Sequence, residues 1–138
     1  MIETLRIAIV DDDIIFRLIF SKMLENFSEL PVQVQVFENG LEALNYFRLY
    51  QHEEDKLPHI LFVDIDMPFL SGWEMMDEIM QEGINFVLHI PVYILSSSTS
   101  TTDKQKIHNY VFINEYIEKP ITKDRLFGYI KEYLADNQ

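Results

Sequence analysis

The chain has 138 residues, 48% of them hydrophobic, with four glycines, five prolines and no cysteine. That is the composition of one ordinary globular domain, and it excludes a disulfide framework, a thiolate zinc site and a cysteine nucleophile. Eleven basic side chains against twenty-three acidic ones give a net charge of −12, which repels phosphate backbones and anionic lipid and argues against nucleic acid or a membrane surface as partner.

Short apolar runs alternate with amphipathic stretches along the chain, without an internal repeat or a linker. The first ten residues lack a basic lead and a cleavage site. Residues 5–10 form an apolar run rich in β-branched side chains, as expected of a strand buried on both faces of a parallel sheet. Phe16, Ile19, Phe20, Met23, Leu24 and Phe27 then recur at helical spacing. Val32, Val34 and Val36 alternate with Gln33 and Gln35, the pattern of a strand near a sheet edge. Ala43, Leu44 and Phe47 mark a second helix, and residues 60–63 a third strand. Met75, Met76, Ile79 and Met80 mark a third helix, with Gly83 as its C-terminal stop.

The connection over residues 83–90 is long and apolar; its Phe86, Val87 and Leu88 either pack on a helix or form a local contact surface. The greasiest region, residues 84–95, is broken by Asn85, His89 and Pro91. It is well short of the roughly 20 residues needed to span a bilayer. A soluble, cytoplasmic domain is therefore expected. Residues 92–95 read as a fourth strand, residues 103–110 as a more polar helix, and residues 116–117 as a short fifth strand. Thr122 can cap a last helix whose stripe is Leu126, Phe127, Ile130 and Leu134.

Five strands, each followed by a helix, predict an α/β fold of (βα)5 order. Right-handed crossovers then place helices on both faces of a doubly wound, five-stranded parallel sheet. In such sheets ligands bind outside the carboxyl ends of the strands. The residues there are Asp11-Asp12-Asp13, then Asp64 with Ile65-Asp66-Met67-Pro68, then Ser96-Ser97-Ser98-Thr99, then Glu118-Lys119-Pro120. Carboxylates gathered this closely raise one another's pKa. A hard divalent cation with oxygen ligands, Mg2+ above all, relieves the conflict, and Lys119 can pair with the cluster.

Simpler readings stand beside these. Asp13 alone reads as a helix cap. The hydroxyl run reads mostly as a solvated loop, and the Met and Phe stripes as core. His52, His59, His89 and His108 lack ligand-like spacing and read as structural or surface residues.

Taken together, four motifs resemble the receiver domain of bacterial two-component response regulators, of the stand-alone chemotaxis-regulator (CheY-like) type. They are Val10-Asp11-Asp12 with Arg17, Val63-Asp64-Ile65-Asp66-Met67-Pro68 with Gly72, Pro91 through Ser96-Ser97, and Tyr116-Ile117-Glu118-Lys119-Pro120. Val10 and Arg17 settle which two of the three consecutive acids match. The resemblance covers essentially the whole chain, so residues 1–138 are expected to be a single receiver domain with no output domain. It implies a flavodoxin-like strand order, 2-1-3-4-5.

By the same resemblance, Asp64 is the phosphoacceptor. Asp12 ligates Mg2+ directly (Mn2+ being the alternative ion), Asp11 does so mainly through water, Asp64 supplies a carboxylate oxygen and Asp66 its backbone carbonyl. Ser96 and Lys119 are the hydroxyl and ammonium that meet the phosphoryl group. Tyr116 is the aromatic switch residue, turning inward as Ser96 is drawn toward the phosphate. Lys119-Pro120 matches a motif with a cis peptide bond, and Ser97 a position where many relatives carry a small residue. The implied donor is a phosphohistidine on a sensor histidine kinase or a histidine phosphotransfer protein. The implied output is a protein contact through the face of the fourth helix, fifth strand and fifth helix, with Tyr110, Phe112 and Tyr116 exposed there. Homodimerisation on phosphorylation is a further implication.

Two other readings use the same residues. Asp64 and Asp66 resemble the Asp-x-Asp core of haloacid-dehalogenase-type phosphatases, in which the second aspartate acts as general acid and base. Against this, that motif normally follows the first strand, and a Thr or Val usually follows the second aspartate where this chain has Met67. A binding-only receiver that never takes a phosphoryl group is the other alternative, and a plain Mg2+-binding domain a remoter one.

Overall fold

Leu5, Ile7 and Ile9 of the first strand, β1 (Leu5–Val10), enter one hydrophobic core, while Ala8 and Val10 enter another on the opposite face. Successive side chains of a strand point to opposite faces, so an unbroken apolar run requires cover on both sides. Ile60 and Phe62 against Leu61 and Val63 in β3 (Ile60–Val63), and Tyr93 and Leu95 against Val92 and Ile94 in β4 (Val92–Ser96), repeat the division. The computed structural model describes residues 2–137. With β2 (Val32–Phe37) and β5 (Glu115–Glu118) it forms one parallel sheet in the order β2-β1-β3-β4-β5. The α/β, doubly wound, flavodoxin-like architecture expected from the sequence is the one observed. Val36 of the edge strand β2 is exposed, in keeping with its alternating valines and glutamines.

Helices α1 (Ile14–Glu25) and α5 (Lys123–Asn137) cover one face through Phe20, Leu24, Leu126, Ile130 and Leu134. Helices α2 (Gly40–Tyr50) and α3 (Gly72–Gln81) cover the other through Ala43, Leu44, Phe47, Met75, Met76 and Ile79. Their starts are fixed by short polar side chains. The Asp13 carboxylate accepts from the Ile15 and Phe16 amides at 2.9 and 3.3 Å, Thr122 Oγ1 accepts from the Arg125 amide at 3.2 Å, and Ser71 and Glu74 form a reciprocal capping box. Gly83 follows the last turn of α3 at φ +67°, the left-handed conformation that glycine adopts without cost.

Several expectations need correction. Ile19 and Met80, placed in core stripes, are each 49% exposed, because the surface each helix turns to the sheet is narrower than its apolar stripe. The polar helix expected over residues 103–110 is instead α4 (Thr101–Lys106), followed by a 3₁₀ turn, Ile107–Asn109. Ser100 caps it two residues earlier than the pattern suggested, accepting from the Asp103 amide at 3.4 Å. Tyr110 and Phe112, expected on an exposed partner face, are only 5% and 6% exposed and belong to the α2–α3 core. Tyr110 stacks on Trp73 of α3 and Phe112 packs edge-on against Tyr110, so both rings are drawn into the interior. In the connection over residues 83–90, a 3₁₀ turn (Asn85–Leu88) buries Val87 and packs Phe86 on the core, leaving Leu88 exposed. His59 is structural, its Nδ1 accepting from the Arg6 amide at 2.9 Å, and His52, His89 and His108 are at the surface.

Candidate site at the carboxyl ends of the strands

Asp11 and Asp64 are the first residues beyond β1 and β3, and hydrogen bonding in the style of the sheet carries on into both. The Asp11 amide donates to the Phe37 carbonyl at 3.1 Å and the Asp64 amide to the Val10 carbonyl at 2.8 Å. This alignment brings two buried carboxylates side by side at the sheet edge. Asp12 adds a third from an exposed position, so that one carboxylate oxygen from each of the three lies within 4.8 Å of the others. Asp66 is exposed, two residues beyond Asp64.

Two features hold Asp11 in place. Its Oδ1 accepts from the Asp13 amide at 2.9 Å, and Arg17 Nη1 donates to its backbone carbonyl at 2.7 Å. Arg17 thus braces the turn into α1 from within the helix. Lys119, placed by a β5 extension in which its amide donates to the Ser96 carbonyl at 2.8 Å, reaches back across the sheet. Its Nζ lies 2.7 Å from Asp11 Oδ2 and 3.8 Å from Asp64 Oδ1, with the side chain only 14% exposed. The Lys119–Pro120 peptide bond is cis.

The electrostatic consequence falls on Asp64. Burial pushes its carboxyl up to about 7; Lys119 opposes the rise, Asp11 and Asp12 reinforce it, and the Asp66 amide opposes it weakly. The site therefore holds more negative charge than its one ammonium neutralises. All its ligating atoms are hard oxygens, the donor set that suits a magnesium-sized dication.

Ser96 ends β4 fully buried, and its Oγ accepts from the Ser98 amide at 3.1 Å. Tyr116 is half-buried against the α2–α3 core, with its hydroxyl donating to the Ser98 carbonyl at 2.8 Å. Ser97 is exposed beside them. The fold thus gathers Asp11, Asp12, Asp64 and Lys119 into one cluster. Ser96 and Tyr116 stand on the next two strands and are joined through Ser98.

Two participants escaped the sequence reading. The Phe16 ring lies 4.2 Å below Lys119 Nζ and forms an aromatic floor for the ammonium. In the sequence Phe16 is only one more member of an apolar stripe. Ser98 uses its amide, hydroxyl and carbonyl at once, where the hydroxyl run suggested only a solvated loop. No local signal marks either residue, because every partner that matters lies on another element or across a turn.

A doubly wound parallel sheet with three carboxylates and a lysine at its carboxyl ends places the protein among the flavodoxin-like α/β folds that carry their chemistry at the topological edge. The model of the response regulator receiver domain matches residues 7–131, and the chain belongs to that family. Protein PilG of Pseudomonas aeruginosa is 29% identical over 132 residues, covering 96% of this chain and 89% of PilG. The probable methanogenesis regulatory protein FilR2 of Methanothrix harundinacea is 29% identical over 104 residues, 73% of this chain. This chain spans 65% of FilR2, just under two thirds of its length. Among solved structures, a two component response regulator from Cytophaga hutchinsonii superposes with a TM-score of 0.81 at 25% identity, covering 94% of this chain and 96% of the other. Among the described residues, no helix is long and apolar enough to cross a membrane.

Proposed function

We propose that this receiver domain accepts a phosphoryl group on Asp64 in a two-component phosphorelay of chemotaxis-regulator type, and that the modification switches a protein-binding face. The observation that carries the reading is the convergence of Asp11, Asp12 and Asp64 with Lys119 at 2.7 and 3.8 Å.

Phosphoryl transfer asks little covalent work of a protein beyond positioning and charge neutralisation. A carboxylate oxygen of Asp64 attacks the phosphorus of a phosphohistidine on a sensor kinase or phosphotransfer protein. The P–N bond breaks, its electron pair stays on the imidazole, and the ring nitrogen is left free to take up a proton. Lys119, steadied by Asp11 and by the Phe16 ring, receives one phosphoryl oxygen; the Ser96 hydroxyl donates to another. Water later cleaves the acyl phosphate, returning the Asp64 carboxylate and inorganic phosphate, so the domain acts as a timed switch rather than a turnover enzyme. The carboxylates of Asp11, Asp12 and Asp64, with the backbone carbonyl of Asp66, are the groups that would hold Mg2+ or Mn2+. Such an ion, when bound, supplies neutralising charge to the phosphoryl oxygens and brings Asp64 into its ionised form.

The output is a population shift in which Ser96 and Tyr116 relay the new charge to the face formed by α4, β5 and α5. Tyr116 represents the aromatic side of that face, since Tyr110 and Phe112 are buried. A downstream protein docks there, or a second phosphorylated copy of the chain does. The signal thus leaves by protein contact within the cytoplasm, in keeping with a net charge of −12 that disfavours nucleic acid.

Intact-mass measurement with acetyl phosphate and Mg2+, on wild type and Asp64→Asn, tests the reading. One added phosphoryl group that needs Mg2+ and disappears in the variant is expected. No adduct overturns the proposal in favour of a binding-only receiver. Continuous phosphate release without an adduct overturns it in favour of a phosphatase.

A further inference from the structure

Helix α4 is six residues long and buries none of its side chains. A helix this short has negligible stability of its own, so its position is set by whatever holds its two ends. The ends are held very differently.

The C-terminal end is built into the core. Beyond the 3₁₀ turn the buried Tyr110 stacks on Trp73 of α3, with ring centroids 5.5 Å apart and planes 15° from parallel. Its hydroxyl donates to Asp77 at 2.8 Å, and Lys106 Nζ sits 5.3 Å from the Trp73 ring. The N-terminal end has no such anchor. Ser98 Oγ donates to Asp103 Oδ2 at 2.6 Å, and the Ser100 amide donates to Ser98 Oγ at 3.2 Å. The ion pair between Lys104 and Glu118 adds a solvent-exposed tie of little weight.

Ser98 therefore joins three elements. Its amide holds Ser96 Oγ at the end of β4, its hydroxyl holds Asp103 on the first turn of α4, and its carbonyl holds the Tyr116 hydroxyl on β5. A hydroxyl oxygen can donate one hydrogen bond while accepting another. When Ser96 donates to a phosphoryl oxygen it thus keeps the Ser98 amide and draws it along.

From this geometry we infer that Ser98 is the positioning residue that couples the Asp64 site to α4, and that α4 tilts at its Asp103 end about a pivot fixed by Trp73 and Tyr110. The inference rests on the phosphoacceptor reading for its trigger, but the coupling itself exists in the unmodified chain. Displacement is largest at the Asp103 end of α4 and dies out at Lys106, which keeps its place 5.3 Å from the Trp73 ring, while residues 107–112 stay where they are. The single tryptophan reports the pivot directly.

Amide hydrogen exchange of the full chain, with and without acetyl phosphate and Mg2+ and with the adduct quantified by intact mass, tests this. In wild type, phosphorylation is expected to change exchange in residues 101–106 by about fivefold or more, with residues 107–112 and Trp73 fluorescence unchanged. Ser98→Ala keeps the adduct and loses the response at α4; Ser98→Thr, which keeps the hydroxyl, restores it. Asp103→Asn retains an acceptor and responds, whereas Asp103→Ala does not.

A second arm needs no phosphoryl group. Ser96→Ala speeds exchange in residues 101–106 of the unmodified chain and has no further effect in a Ser98→Ala background, the non-additivity expected of residues in one network. An undiminished α4 response in Ser98→Ala, or additive effects of the two alanines, overturns the coupling. Movement of residues 107–112 or of Trp73 fluorescence on phosphorylation overturns the pivot. Absence of any adduct in wild type defeats the phosphoacceptor reading alone, and the second arm still decides the coupling.

Discussion

Glycine to alanine is expected to have opposite effects at two helical positions of this chain. At Gly72, the first residue of α3, a Cβ would lie 2.5 Å from the Asp64 carbonyl oxygen, 2.9 Å from Ile65 Cα and 3.2 Å from the Asp64 carbonyl carbon. All three are backbone atoms, so no side chain can swing aside. Either α3 backs away, stretching the 3.0 Å bond from the Gly72 amide to the Ile65 carbonyl, or the strand end carrying Asp64 is displaced. Overpacking of this kind costs about 1–3 kcal/mol and the weakened hydrogen bond about 1 more. A total of about 2–4 kcal/mol corresponds to a melting temperature lower by roughly 8–15 °C for a chain of this size. The same shift misplaces the acceptor carboxylate, so the acetyl phosphate reaction should slow by about tenfold or more.

At Gly128, inside α5, nothing lies within 4 Å of the added Cβ. Alanine there should stabilise the chain by about 0.5–1 kcal/mol through helix propensity, raising the melting temperature by about 2–4 °C. Differential scanning calorimetry of the two variants is the assay. A Gly72→Ala protein that melts with or above wild type would refute the reasoning, because helix propensity would then be governing both sites.

The Asp64 carboxyl stands at about 7 in the fold against 3.8 ordinarily. The folded state thus binds more protons than the unfolded one between these values, and stability falls as pH rises through the window. Asp64→Asn should therefore be the more stable protein at pH 8 by about 2–4 kcal/mol and equal to wild type near pH 4, in urea titrations with EDTA present. His59 shows the converse behaviour. Burial, aided by Arg6, pushes its imidazole down to about 4 from 6.5, so the unfolded chain binds the extra proton and stability falls as pH drops through that range. For a half-buried ring the loss is about 1 kcal/mol; His59→Asn should flatten the pH profile between 6.5 and 4, and an unchanged slope would contradict the assignment. Phe69, in the loop between β3 and α3, holds φ at +68° with its side chain 88% exposed. Phe69→Asn should raise stability by about 1 kcal/mol in chemical denaturation, and a loss would show that the ring makes a contact worth more than its backbone strain.

Strands and their edges were legible because burial on both faces demands an uninterrupted apolar run, and residues 5–10 and 60–63 match β1 and β3 residue for residue. Helix starts at Asp13 and Thr122 were legible for an equally local reason, since a cap bonds to amides two or three residues on. The residue types at the strand ends followed once the (βα)5 order was read, because that order sends every strand end to one edge. Other features were decided by contacts between residues far apart in the chain. Lys119 and Asp11 are separated by 108 positions, and Phe16 meets Lys119 across a similar span. Tyr110 was expected at the surface and is buried because Trp73 and Asp77 of α3 receive it. The width of the apolar face a helix needs, which leaves Ile19 and Met80 in water, depends on the surface opposite and not on the helix's own period. Ser98 is the sharpest case. Its own neighbours are polar and uninformative, and its role exists only where the ends of β4, α4 and β5 come together.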